Sequence, residues 1–153
     1  MVELVLPNDA NTMGNVLGGR VLHWIDLAAA IVAHRHCRTE TVTVSLDQMS
    51  FLAPIRVGQM AVIAARMTYT GRTSMEIRVD VQCEDLLSGE RKQTSTAYLT
   101  FVAIDKKGRP APVPPLILET EEERREAREA EARRAARLKA RPHHPPTRES
   151  MHQ

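Results

Sequence analysis

Residues 11–37 read NTMGNVLGGRVLHWIDLAAAIVAHRHC. This stretch decides the fold. From Gly19 to Ala33 the strongly polar side chains are Arg20, His23 and Asp26. The pattern predicts one long helix from about Gly19 to Cys37, and a helix that is apolar almost all round is a buried one. Asp26 shares a stripe with Gly19, Leu22, Ala29, Ala30 and Ala33 by the i, i+3, i+4, i+7 rule, with His23 as its polar neighbour. A carboxylate buried there costs free energy unless it is paired or hydrogen-bonded, and Ala or Leu would pack better. Asp26 is therefore either a buried acid satisfied by backbone N–H groups or by His23, or a functional group. The glycines ahead of it favour the second reading. A helix start presents free N–H groups and partial positive charge, and Gly18 and Gly19 have no side chains to keep a carbonyl away. A carbonyl oxygen held there is polarised as in an oxyanion hole. Asp26, about two turns further on, supplies a carboxylate base or nucleophile, which completes an outline of acyl-transfer chemistry.

Outward from the helix the periodicity changes. LVL at 4–6 reads as a short strand. TVTVSLDQMSFL (41–52) alternates at 42, 44 and 46 and then shifts phase near Asp47, the mark of a bulged strand. MAVIAARMTYT (60–70), SMEIRVDVQCEDL (74–86) and KQTSTAYLTFVAI (92–104) are further strands. Turns at RVGQ (56–59), GRT (71–73) and LSGE (87–90) separate them, and DKKG (105–108) closes the last. Four consecutive long strands with short connections predict an antiparallel meander, with the apolar helix as the partner for its buried face. The class is α+β.

The chain has 153 residues, enough for one domain, and 42% of them are hydrophobic. Only 3% are aromatic, so the core rests on Val, Ile, Leu, Met and Ala. A formal charge of +2 is too small a surplus to point to nucleic acid. Two cysteines, Cys37 and Cys83, and an N-terminus with neither a basic nor a long apolar stretch predict a reduced, cytoplasmic protein outside membranes. After Pro110, prolines up to Pro115 predict an extended connector. Thr120 and Glu123 form a capping box that starts a helix near Glu121, supported by Glu121–Arg125 and Glu129–Arg133 spacing. Its apolar residues are mainly Ala, which predicts a solvated helix ending before Pro142. The expected division is a domain at 1–118, a charged helix at 119–141 and a disordered tail at 142–153. His34 and His36, two apart on a helix, point to different sides, and His143, His144 and His152 have no metal spacing, so no metal site is expected. Asp47 reads as a bulge or interface residue.

Several stretches together carry a resemblance: DANTMGNVLGGRVLHWIDLAAAIVAHRHC, TVSLDQMSFLAPIRVGQ, MTYTGRTSMEIRVDV and PVPPLILETEEE. In this order, from about Asn8 to Glu123, the chain resembles the cytosolic acyl-CoA hydrolase family of hotdog thioesterases. The specific part is N-x-x-G-x-x-x-G-G with Asp26 seven residues after the last glycine, then R-x-G and S-M-E-I downstream. The resemblance implies a hotdog fold, in which the sheet wraps around the helix. It implies hydrolysis of fatty acyl-CoA to free acid and CoA without metal or other cofactor, CoA being part of substrate and product. The implied functional unit is a homodimer joined edge to edge, assembled further into a hexamer, a trimer of dimers. The family's catalytic Asp and Asn fall on Asp26 and Asn11, supplied to each site by different subunits. The amides near Gly18 and Gly19 would polarise the thioester carbonyl, and Arg56, Arg72, Thr73 and Ser74 match the CoA-binding region. Asp26 either activates water or attacks the thioester to give a mixed anhydride. Two rivals stand beside this reading: a hotdog dehydratase using His23, and a hotdog protein that binds acyl-CoA without turning it over. The presence of both Asn11 and Asp26 argues against a decayed site.

Overall fold

A computed structural model describes residues 1–47 and 49–140 of the chain. Its elements run β1 (Val2–Leu4), a 3-10 turn (Pro7–Asp9), α1 (Gly18–Cys37), β2 (Glu40–Asp47), β3 (Met60–Thr70), β4 (Ser74–Glu84), β5 (Arg91–Ile104) and α2 (Glu121–Ala140). The five strands form one antiparallel sheet in the order β1-β3-β4-β5-β2. This is the helix-and-sheet hotdog architecture expected, with two changes of detail. The first strand lies at 2–4 rather than 4–6, paired with β3, while Val5 turns into the core. The meander covers β3, β4 and β5 only, because β2 crosses to the far edge and pairs with β5. The 49–59 segment that leads from β2 to β3 runs by the start of α1, where a Cβ at Gly18 would lie 3.6 Å from the Phe51 ring.

The core lies between α1 and the concave face. Val21, Trp24, Ile25, Ala28, Ala29 and Ala33 of the helix pack with Ile63, Ile77, Val79, Leu99 and Phe101 of the sheet. Ala at 28, 29 and 33 keeps the helix close to the strands, and Ile25 is fully buried. Clean alternation on β4 places Met75, Ile77, Val79, Val81 and Cys83 inward. The other side of α1 is not buried. Leu22, His23, Asp26, Leu27 and Ile31 are exposed, so the expectation of a helix buried all round fails in the single chain. One sheet covers one face of a helix, and nothing among the described residues covers the other.

α2 begins with its capping box in place. Thr120 Oγ1 accepts from the Glu123 N–H at 3.1 Å, and Glu123 Oε2 accepts from the N–H of Glu119 at 2.7 Å and of Thr120 at 3.3 Å. Most of the helix is solvated, as expected, but one stripe is docked on the convex face of the sheet, burying Glu126 and Ala130. The side-chain pairs differ from the expected spacing. Glu121 pairs with Arg124 and Arg128, and Arg133 leaves the helix surface to reach Glu76 on β4. The proposed tail at 142–153 lies outside the described residues.

Candidate active site

Two local features build the start of α1. Residues 9–17 form a tight reversal, closed by Leu17 N–H to Asp9 C=O at 2.8 Å and by Asn11 N–H to Asn15 C=O at 2.8 Å. Asn11 sits at its head. The carbonyl oxygen of its side chain accepts from the N–H of Met13 at 2.9 Å and of Asn15 at 3.2 Å. That fixes the side chain and leaves its NH2 as the outward end, a donor. The helix then starts at Gly18 with Leu17 as N-cap and no capping side chain. The N–H groups of Arg20 and Val21 turn back to the Leu17 carbonyl. Gly18 and Gly19 precede these bonds, so theirs are the helix-start amides left without an intrahelical partner. A Cβ at Gly19 would meet nothing within 4 Å, so packing within this chain does not call for glycine there.

Asp26 stands two turns on, exposed, and Thr43 of β2 donates its hydroxyl to Asp26 Oδ1 at 2.8 Å. The expected partner, His23, makes no such bond among the described residues. Thr43 was hidden from the sequence reading by the position of the bulge. The register slips between Thr43 and Ser45, not near Asp47. Thr43 therefore lies opposite Phe101, on the concave face toward α1. Asp47 is not part of this cluster. It lies opposite Tyr98 on the convex face and pairs with Arg137 of α2. His34 and His36 do separate as expected: His34 Nδ1 bonds the Ala30 carbonyl and His36 Nε2 the Pro114 carbonyl.

The structure gathers some of the candidate residues and parts others. Arg56 bridges to Asn15 beside the Asn11 reversal, so it lies at the helix-start end. Arg72, Thr73 and Ser74 lie at the other end of α1: the Thr73 carbonyl bonds Ala103, the Arg72 carbonyl bonds Val113, and neighbouring Met75 touches Cys37. The two ends of this helix are about 28 Å apart at 1.5 Å per residue. Within one chain these three residues do not join Asn11 and Gly18. Between the start of α1, the 51–55 segment and the start of β5 lies a cavity of about 340 Å³, lined by Gly18, Val21, Phe51, Leu52, Ile55 and Ser95 among others. Carboxylate, amide donor and exposed helix-start N–H groups are the parts needed to attack a carbonyl and receive its oxyanion.

A family model for the thioesterase superfamily matches residues 13–90. The uncharacterized acyl-CoA thioester hydrolase YkhA of Bacillus subtilis is 45% identical over 119 residues, covering 78% of this chain and 69% of that protein. The cytosolic acyl coenzyme A thioester hydrolase of Rattus norvegicus is 38% identical over 135 residues, 87% of this chain but 35% of that protein, so the chain spans about a third of that relative. A crystal structure of an apo-hexameric acyl-CoA thioesterase has a TM-score of 0.87 at 43% identity, covering 91% of this chain and 89% of the other. A Staphylococcus aureus acyl-CoA hydrolase, solved with butyryl coenzyme A, coenzyme A and coenzyme A disulfide, has a TM-score of 0.81 at 33% identity over 91% and 87% of the two chains. That hydrolase was also solved with alanine replacing an aspartate, an asparagine 15 positions before it and a threonine 17 positions after it. Asn11, Asp26 and Thr43 stand at the same separations. With a family model spanning half of the chain and a relative of this identity spanning most of it, the chain belongs to the thioesterase superfamily.

Proposed function

We propose that this protein hydrolyses acyl-CoA to free acid and CoA, at a site that two copies of the chain complete. One observation carries the reading: Asp26 is an exposed carboxylate held by the Thr43 hydroxyl at 2.8 Å, on the same helix as an uncapped Gly18–Gly19 start. The names of the relatives and the CoA complexes of the Staphylococcus aureus neighbour support the substrate class.

In the reaction, Asp26 either takes a proton from water as the water attacks the thioester carbonyl, or attacks that carbonyl itself to form a mixed anhydride that water then opens. In both routes the carbonyl oxygen gains negative charge and is received by the N–H groups of Gly18 and Gly19. The side-chain NH2 of Asn11, its carbonyl end already engaged, donates to that oxygen or holds the water. CoA leaves as a thiolate, a stable leaving group. Arg56 stands where a CoA phosphate can be met, and Arg72, Thr73 and Ser74 reach the site only from the partner copy.

Asn11 and Asp26 share no hydrogen bond in the chain, which supports their service to one site from two subunits. Leu22, Leu27 and Ile31 flank Asp26 and are exposed, and β2 ends the sheet with Val42, Val44 and Leu46 exposed. An edge strand with such side chains pairs with another copy, and the hexameric neighbours support assembly beyond the dimer. No helix among the described residues is long and apolar enough to cross a membrane, and the rat relative's name supports a cytoplasmic location.

The test is thiol release from an acyl-CoA chain-length series by the native protein and by Asp26→Asn. The native protein hydrolyses part of the series. The variant keeps its circular dichroism and oligomer size and loses about 100-fold or more in kcat/KM, the scale of a general base or nucleophile. No hydrolysis anywhere in the series overturns the reading.

A further inference from the structure

The start of α1 departs twice from the usual helix terminus. A polar N-cap side chain ordinarily ties the incoming chain to the first free N–H groups; Leu17 stands there and caps nothing. The third helical residue, where a capping box puts Glu or Gln, is Arg20, a cation at the positive end of the helix dipole. Neither choice helps the helix. Arg20 is instead turned back on the incoming chain, its Nε 3.0 Å from Asp9 Oδ1. The Arg20 side chain is 43% exposed, and water screens such a pair until it adds little to stability.

Asp9 is held from three directions. Besides Arg20, its Oδ2 accepts from the Leu6 N–H at 2.9 Å, and its backbone carbonyl accepts from the Leu17 N–H at 2.8 Å. Asn11 follows two residues later. The bonds its side chain accepts come from Met13 and Asn15, within the reversal. The far arm of the reversal is bound to the 55–57 segment, by the Val16 N–H to the Ile55 carbonyl at 2.7 Å and the Val57 N–H to the Gly14 carbonyl at 3.0 Å. None of these bonds reaches α1. Among the described residues, the one polar tie between residues 9–16 and the helix is Asp9 to Arg20.

We infer that the Asp9–Arg20 pair takes the place of an N-cap: it positions the Asn11 reversal against the start of α1 without using the Gly18 and Gly19 N–H groups, which stay open to the oxyanion. This rests on the acyl-CoA hydrolase reading and adds two positioning residues to it. A capping side chain accepts from the second or third helical N–H, here Gly19 or Arg20, and would compete with the oxyanion for the same terminus. An ion pair between side chains ties the two segments and leaves that terminus free. Asp9 and Arg20 thus act through Asn11, by fixing its NH2 relative to the helix-start amides. Misplacing such a group by about 1 Å costs up to about 100-fold in rate.

The experiment measures kcat and KM for thiol release from the preferred acyl-CoA of the chain-length series. The variants are Asp9→Asn, Arg20→Gln and the two together, each made in the native protein and in Asn11→Ala. Asp9→Asn keeps an oxygen for the Leu6 N–H and removes the charge. Arg20→Gln alters an exposed side chain with no other polar partner among the described residues. Each single variant is expected to keep its circular dichroism and oligomer size and to lose about tenfold in kcat. KM stays within about twofold, because the positioned group acts on the transition state. The double variant loses no more than either single one, since the two residues act as a unit. In Asn11→Ala, followed with enzyme in excess, the same substitutions cost nothing further. Unchanged kcat in the single variants, additive losses in the double variant, or an equal fall with and without Asn11 overturns the positioning role and leaves the hydrolase reading standing. If Asp9→Asn does not assemble, Arg20→Gln in the two backgrounds decides alone. Failure of the native protein to hydrolyse any member of the series overturns both.

Discussion

Asp26 owes its direction to Thr43. The carboxylate lies on the open face of α1, where it would otherwise sample several rotamers, and one hydroxyl on the neighbouring strand holds Oδ1. The bond is exposed to solvent, where such contacts add little to stability, so its loss shows in the chemistry rather than in the fold. Thr43→Val keeps the shape of the side chain and removes the donor. The expected result is a fall of about tenfold in kcat with KM nearly unchanged, and Thr43→Ser restores the rate. Stopped thiol release on one acyl-CoA checks both, and an unchanged kcat in Thr43→Val refutes the orienting role. The glycines and Asp26 stand out in the sequence because they lie within one local run from 18 to 26, whereas Asn11 stands out only through the family resemblance. Thr43 does not stand out, since its face depends on where the bulge falls, and a bulge of one residue reverses every side chain beyond it.

At the scale of the element, α2 shows that a helix without an apolar stripe can still dock. Its underside is a lattice of charges on the convex face of the sheet. Glu126 pairs with Arg66 of β3 and lies 3.6 Å from Arg78 of β4. Arg133 pairs with Glu76 at 2.8 Å and stacks over the Tyr98 ring at 3.8 Å. Arg137 pairs with Asp47. Thr68 also donates to Glu76, at 2.7 Å, so this buried carboxylate is met from two sides. The hydrogen bond from Arg66 holds the Glu126 carboxyl below the usual glutamate range, and burial opposes it. A lowered folded-state pKa contributes stability that is present above the unfolded value of about 4.3 and is lost as pH falls through the folded one. The native protein should therefore lose Tm as pH falls below about 4.3, and Glu126→Gln should lose less over that range. At pH 7 the same variant is expected to be less stable by about 1–2 kcal/mol, the scale of one charge-assisted hydrogen bond partly open to water. Differential scanning calorimetry at both pH values decides it. Parallel Tm–pH curves for the two proteins would show that the pair does not hold α2 down.

At the scale of the whole molecule, the described residues leave one side of the central helix open. The sheet covers the side of α1 that carries Val21, Ile25, Ala29 and Ala33, and leaves Leu22, Leu27 and Ile31 in solvent beside the carboxylate. The open edge of β2 adds unpaired backbone and exposed Val42, Val44 and Leu46. Exposed large apolar side chains on an edge strand and on the central helix mark surface suited to covering by another chain. A lysine on an edge strand blocks pairing without harming the strand itself. Val44→Lys is accordingly expected to sediment as a monomer, keep its circular dichroism and lose about 100-fold in kcat/KM, because an incomplete site forfeits the positioning of one of its groups. Full activity in a monomeric Val44→Lys would place the whole site within one chain.

The sequence by itself determined what depends on neighbours along the chain. The helix at 18–37, the strands from 60 onward, the Thr120–Glu123 capping box and the placement of two glycines seven residues before Asp26 all follow from periodicity, caps and turns, whose range is a few residues. Only the tertiary structure decided the rest. Pairing of β2 with β5 sets the sheet edge and, with its bulge, the inward face of Thr43, and the 49–59 segment before β3 walls the cavity beside Phe51. The ion pairs of α2 join residues more than fifty positions apart. Charge and periodicity name such residues as polar, but the free energy that chooses their partners is set by which surfaces meet when the chain closes.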